Sequence, residues 1–303
     1  MNKKNVRHFL DLSDFSADTL MTILRRAQAL KRARCLRGDL RGKSLALIFE
    51  KPSTRTRVSF EVAMHELGGH ALALTGKEMQ LGHGESLGDT AQVLGRFVHG
   101  LMVRTFAHAN LLELAQHSPI PVINGLTDFS HPCQVMADLL TVLERFGVLK
   151  NRRIVWYGDG DNNVLTSWIQ AATLFDLPLT ICCPKELAPK PDVLPSSDKI
   201  ILSHDPDTAI SGADVVLTDT WISMHNSDAE RRRALLAPYQ INAARMAQAA
   251  KKAIFMHCLP AHRGEEVTDE VIDGKQSAVW VEAENRLHVQ KAILLWCFAK
   301  MGL

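Results

Sequence analysis

Residues 49–57 read FEKPSTRTR, a loop crowded with hydroxyl groups and positive charge. Ser53, Thr54 and Thr56 offer small donors, while Arg55 and Arg57 offer fork-shaped guanidinium groups that match the oxygens of a phosphate or carboxylate. The loop follows the apolar run LALIF, which reads as a strand. It precedes a helical pattern in which Val58, Phe60, Ala63, Met64 and Leu67 share one face, closed by Gly68 and Gly69. A helix N-terminus leaves backbone N–H groups unpaired, and its dipole favours negative charge there. Strand, STRTR, helix therefore predicts an anion site, with a phosphate group as its natural guest.

Other residues able to do chemistry also fall at the ends of apolar runs. Arg104 ends GLMVR, Asp219 ends ADVVLTD, and His257 with Cys258 follow KAIFM. In doubly wound sheets ligands bind beyond the carboxyl ends of the strands, so these residues stand where a ligand site belongs. Each has an ordinary reading as well: Arg104 as a surface charge, His131 of FSHPCQ as a simple helix start, Cys258 as an inert buried thiol. The turn GDGDNN approaches a dinucleotide-binding fingerprint, but its third glycine position is Asn163, which argues against NAD.

The elements that must position these residues alternate along the chain. SDFSADTLMTILRRAQALKRA predicts a first helix with serine and aspartate caps, and VMADLLTVLERFG a long helix after FSHPCQ. RRIVWYGDGDNNVLTSWIQAATLFDLPLTICCP reads strand, turn, helix, strand, and further short strands recur at KIILSH, ADVVLTD and KAIFMHCLP. The pattern predicts an α/β protein of two doubly wound domains, each with a central parallel sheet flanked by helices. A composition shift near FGVLKNRR divides residues 1–148 from 149–285, and the apolar C-terminal helix, 286–303, is expected to cross back to the first domain.

Composition narrows the class. The 303 residues suffice for two domains, and 46% hydrophobic with 22% charged residues is ordinary for a globular chain. A net charge of +2 supplies no global attraction to nucleic acid or a membrane surface, and no apolar run reaches bilayer length. MNKKNVRHFLDLSDFS lacks the apolar stretch of a secretory signal. Six cysteines, at 35, 133, 182, 183, 258 and 297, show no CxxC or metal-ligand spacing, so reduced thiols and a cytoplasmic location are expected.

Taken together, STRTR at 53–57, HPCQ at 131–134, DTWISM at 219–224 and HCLP at 257–260 stand in the order and spacing of the aspartate/ornithine carbamoyltransferase family. GKSLALIFEKPSTRTRVSFE, LGHGESLGDT, INGLTDFSHPCQVMADLLT, GDGDNN and AENRLH extend that resemblance over nearly the whole chain, and HCLP and the D-x-W-x-S-M loop are similar to the ornithine branch. The resemblance implies transfer of a carbamoyl group from carbamoyl phosphate to the side-chain amine of ornithine, without metal or organic cofactor. It assigns Ser53, Thr54, Arg55 and Thr56 to the phosphate, Arg104, His131 and Gln134 to the carbamoyl end, and Arg286 to the same ligand. Gln80 matches a position lent to a neighbouring subunit, consistent with a homotrimer or a multiple of trimers. Asn163, Asp219, Ser223 and Met224 match the ornithine positions. Cys258 and Leu259 match the loop that meets the carbamoyl group and receives the amine, and Cys258, Arg104 and His131 are the implied catalytic residues. His225 stands where the family usually has glycine. Aspartate, putrescine or an acylated ornithine as acceptor, or a non-catalytic binding member, are the competing expectations.

Overall fold

A computed structural model describes residues 6–33, 35–75, 85–222 and 228–300. Gln80, Ser223, Met224 and His225 lie outside the described residues. Contacts divide the chain into two units: Met1–Leu140 with Asn285–Leu303, and Thr141–Glu284. The composition shift near residue 148 lies beyond the contact boundary, because the long helix that begins at Pro132 runs through Leu140 without a break.

The first unit opens with α1 (Ala17–Ala33), then β1 (Ser44–Phe49), α2 (Thr54–Glu66), β2 (His70–Thr75), α3 (Leu87–Phe97), β3 (Gly100–Arg104), α4 (His108–His117), β4 (Val122–Leu126) and α5 (Pro132–Phe146). Its four strands are parallel in the order β2-β1-β3-β4. β1 is apolar on both faces and buried from Leu45 to Phe49, as a strand covered by helices on each side must be. Gly68 ends α2 with φ +80, and a Cβ there would meet the Arg37 carbonyl oxygen at 2.8 Å, so the stop needs glycine for both conformation and space.

The second unit contains β5 (Ile154–Tyr157), α6 (Asn163–Phe175), β6 (Leu179–Cys182), β7 (Ile200–Ser203), β8 (Val215–Thr218), α7 (Ala229–Leu236), α8 (Ala243–Met246), β9 (Ile254–His257) and α9 (Asp269–Ile272). Its five parallel strands run β7-β6-β5-β8-β9, over a core that includes Val155, Tyr157, Val216 and Phe255. The last helix, α10, spans Val279–Cys297 and so begins seven residues before the expected start at Arg286. Its later part returns to the first unit: Lys291 pairs with Glu66 at 2.5 Å, and Lys31 donates to Asn285 at 2.7 Å. Among the described residues no helix is long and apolar enough to cross a membrane.

Strand order fixes where a ligand can sit. In the first sheet β1 leads to β2 on one side while β3 lies on the other; in the second, β5 leads to β6 on one side with β8 on the other. Loops leaving such a pair diverge and open a crevice between them. The pairs β1/β3 and β5/β8 carry STRTR and Arg104, and GDGDNN and Asp219, respectively.

Candidate active site

The residues expected to hold an anion gather in the first unit. Ser53 caps α2, its hydroxyl accepting from the Thr56 backbone N–H at 3.3 Å, so the STRTR segment is the first turn of a helix. Thr56 turns inward and is buried, whereas Thr54 and Arg55 are exposed at the helix end. Arg104, the last residue of β3, reaches across the switch point to Thr56 Oγ1 at 3.5 Å. From α10, Arg286 Nη2 donates to the same hydroxyl at 3.2 Å and its Nη1 donates to Gln134 Oε1 at 2.7 Å. Arg57, offered by the sequence as a second fork, instead pairs with Glu61 one turn along the helix surface at 2.9 Å.

His131 stands just before α5 and is buried. Burial holds its pKa well below 6.5, and the positive charges of Arg286, Arg104 and Arg55 push in the same direction. The imidazole is therefore neutral at pH 7, among three guanidinium groups gathered from β3, α2 and α10. Two outer contacts brace this cradle. Lys51 pairs with Asp128 and lies 4.2 Å from the centre of the Phe106 ring, and Glu50 accepts from the Thr105 hydroxyl and from the Phe106 N–H.

The second unit holds a different constellation. Asn162 caps α6, its Oδ1 accepting from the N–H groups of Val164 and Leu165, and its Nδ2 donates to Asp219 Oδ2 at 2.9 Å. Asp219 Oδ1 accepts from the Thr220 N–H at 2.7 Å and from the Cys258 thiol at 3.1 Å. The carboxylate is thus fixed across the β5/β8 crevice, with the half-buried thiol on one of its oxygens. His257 holds the thiol's loop. Its Nδ1 accepts from the Leu259 N–H at 2.9 Å, which leaves Nε2 as the protonated nitrogen, 3.2 Å from buried Glu266. Leu259 has φ +60, a left-handed conformation rarely taken by a branched residue, and that hydrogen bond holds it there.

Asp219, His257 and Cys258 together have the residue types of a metal site. Both ring nitrogens of His257 are already engaged, by Leu259 and Glu266, so the triad is not a ready ligand set. One further pair underlies the crevice. Arg232 on α7 donates to the Trp221 carbonyl at 3.1 Å and pairs with Asp159 of GDGDNN. Burial raises the Asp159 pKa to about 6 against the opposing pull of Arg232.

The sequence-selected residues thus fall into two groups. Ser53, Thr54, Arg55, Thr56, Arg104, His131, Gln134 and Arg286 belong to the first unit, and Asn163, Asp219, Cys258 and Leu259 to the second. Sequence reasoning missed Asn162, which holds Asp219, although asparagine directly before a helix is a capping signal. It also missed Arg232 and Glu266, which carry no local signature.

A family model described as the aspartate/ornithine carbamoyltransferase carbamoyl-P binding domain matches residues 7–144, and one described as the Asp/Orn binding domain matches residues 150–297. Among curated relatives, proteins named ornithine carbamoyltransferase from Rhodopseudomonas palustris (strain BisA53) and Nitrobacter winogradskyi are each 56% identical. The alignments cover 98% of both chains for the first and 99% of both for the second. The solved structure of ornithine carbamoyltransferase from Pyrococcus furiosus superposes with a TM-score of 0.91 at 45% identity, covering 97% of this chain and 98% of that one. With arginines gathered on Thr56 and Gln134 in one unit, a carboxylate–thiol pair in the other, and matches spanning both, this chain belongs to the aspartate/ornithine carbamoyltransferase family.

Proposed function

We propose that this chain transfers the carbamoyl group of carbamoyl phosphate to the δ-amine of L-ornithine, releasing L-citrulline and phosphate. The observation that supports this reading best is the division of labour between two switch-point sites within one family member. The first unit gathers Arg55, Arg104 and Arg286 about a neutral His131 at a helix N-terminus; the second presents Asp219 paired with Cys258.

The chemistry maps onto those groups. The amine lone pair attacks the carbonyl carbon, negative charge gathers on the carbonyl oxygen, and the bond to the phosphate oxygen then breaks. Arg104, His131 and Thr56 are assigned to the developing oxyanion, where preorganised donors act most strongly. Ser53, Thr54, Arg55 and Arg286 take the phosphate charge as it leaves, and Gln134 orients the carbamoyl amide. A free amine of this kind has a pKa of about 10.4, so the attacking nitrogen must shed a proton. Cys258, whose thiol donates to Asp219, is assigned to orient the amine and relay its proton, the sulfur taking the amine's proton as the thiol's own passes to Asp219, with the departing phosphate as the final destination. Asn163, Asp219, Ser223 and Met224 are assigned to the amino-acid backbone of ornithine, and Leu259 to the carbamoyl group. Gln80 is assigned to the site of a neighbouring subunit in a trimer.

Asp219 argues for a free α-ammonium group and against an acylated acceptor, which would set an uncharged amide against that carboxylate. Initial rates with ornithine, N-acetylornithine, putrescine and aspartate test the assignment. Product formation with ornithine at least about a hundredfold above the others is expected, since loss of a charge-paired contact costs several kcal/mol. Absence of citrulline with all substrates saturating removes the reading.

A further inference from the structure

The first turns of α5 are buried throughout, yet they carry an amide and a carboxylate one turn apart. Asp138 is 1% exposed and Gln134 also 1% exposed. Gln134 Nε2 donates to Asp138 Oδ1 at 2.8 Å, while Gln134 Oε1 accepts from Arg286 Nη1 at 2.7 Å. Arg286 in turn places Nη2 on Thr56 Oγ1 at 3.2 Å, at the start of the anion-binding helix.

This chain of contacts has only one consistent direction. A carboxylate accepts and a guanidinium donates, so the amide between them must turn its NH2 to Asp138 and its carbonyl to Arg286. Rotating the amide by half a turn would set donor against donor at Arg286 and acceptor against acceptor at Asp138. Without Asp138 only the guanidinium that the amide should hold in place is left to select between the two orientations. In the wrong one the Gln134 amide repels the guanidinium that the anion needs.

We propose that Asp138 is a positioning residue for the anion site, locking the Gln134 amide so that Arg286 is held beside Thr56 before any ligand arrives. The proposal rests on reading this unit as the carbamoyl phosphate site. Asp138 itself touches no substrate; it acts through Gln134.

The test compares Asp138→Ala, which removes the acceptor, with Asp138→Asn, which keeps a carbonyl facing Gln134. KM for each substrate, kcat and the melting temperature are measured, together with calorimetric binding of inorganic phosphate. For Asp138→Ala, KM for carbamoyl phosphate is expected to rise about tenfold or more and phosphate binding to weaken in parallel, with ornithine KM within about twofold. Asp138→Asn is expected to stay within about threefold of the parent on every parameter. An Ala variant with unchanged carbamoyl phosphate KM overturns the proposal. So does one whose two KM values rise together with a lowered melting temperature, or an Asn variant as impaired as Ala. Should the Ala variant fail to fold, Asp138→Ser, whose hydroxyl is too short to reach Gln134, is judged on the same criteria. If the parent protein makes no citrulline, the functional reading fails while phosphate binding by the variants still decides the role of Asp138.

Discussion

The Cys258 thiol donates to Asp219 Oδ1 at 3.1 Å, while the other oxygen of that carboxylate is held by Asn162 at 2.9 Å. The thiol hydrogen is thus committed to a carboxylate that is itself held from its other side. Cys258→Ser is expected to leave carbamoyl phosphate KM near that of the parent while lowering kcat/KM for ornithine about a hundredfold, the lower end of the range for losing a proton-handling group. Intact-mass measurement after incubation with carbamoyl phosphate alone should show no added carbamoyl group. A carbamoylated Cys258 that turns over at a competent rate would replace direct attack with a covalent route.

Arg55 is exposed at the N-terminus of α2, so its removal should cost function and not folding. Arg55→Ala is expected to lower kcat/KM for carbamoyl phosphate by about 2–4 kcal/mol, roughly 30- to 1000-fold. Its unfolding free energy should stay within about 0.5 kcal/mol of the parent's, as for other surface changes. Steady-state kinetics and denaturant titration measure the two separately.

Stability should depend on pH through His131. Its native pKa lies well below 6.5, while in the unfolded chain it titrates near 6.5. Between those values the unfolded state binds a proton that the native state does not, so stability falls as pH drops below 6.5. The slope is about 1.4 kcal/mol per pH unit for this one group, persisting until the native pKa is reached. His8 and His99 are also lowered by burial, so the contribution is read as the difference between the parent and His131→Gln. The variant should lose up to one proton's worth of slope below pH 6.5. Parallel profiles for the two proteins would show that His131 is protonated in the native state.

Arg232 and Asp159 form a buried pair that also holds the Trp221 carbonyl. Arg232→Met strands the carboxylate, at an expected cost of about 3–5 kcal/mol near pH 8. Because the Asp159 pKa is already raised to about 6, the loss should shrink as pH falls and the stranded group takes up a proton. Adding Asp159→Asn should recover most of the stability, which chemical denaturation at pH 8 and pH 5 would reveal.

Subunit sharing has its own test. Gln80→Ala and Arg104→Ala chains, each inactive alone, are expected to regain activity on dissociation and reassociation together if Gln80 serves a neighbour. Demonstrated hybrids that stay inactive would assign Gln80 to its own chain's site.

The residues most legible from sequence were those whose types are costly anywhere else. A run of hydroxyls and arginines after a buried strand has few uses besides an anion, and STRTR is indeed the first turn of α2. The less legible ones are ordinary residue types whose role depends on their surroundings. Asn162 and Asn163 are adjacent and alike, and only the crossing to Asp219 distinguishes the first. Asp138 reads as a polar position on an amphipathic helix until the helix is seen to be buried on that side as well. A change in composition marks residue 148, whereas α5 and α10 pass from one unit to the other with no change in local pattern.

The route of α10 bears on how the protein is made. The first unit is discontinuous, since Asn285–Leu303 belongs with Met1–Leu140. At roughly 5–20 residues per second, a ribosome needs on the order of 10–30 s to synthesise the Thr141–Glu284 unit that lies between the two pieces. Through that interval the nascent amino-terminal sheet lacks Ile293, Leu294 and Leu295, which are fully buried in the finished protein, and its anion cradle lacks Arg286. The second unit is contiguous and can close first, so the order of completion is the reverse of the order of synthesis. Ligand can then help the amino-terminal unit to fold only once Arg286 and the rest of α10 have been made.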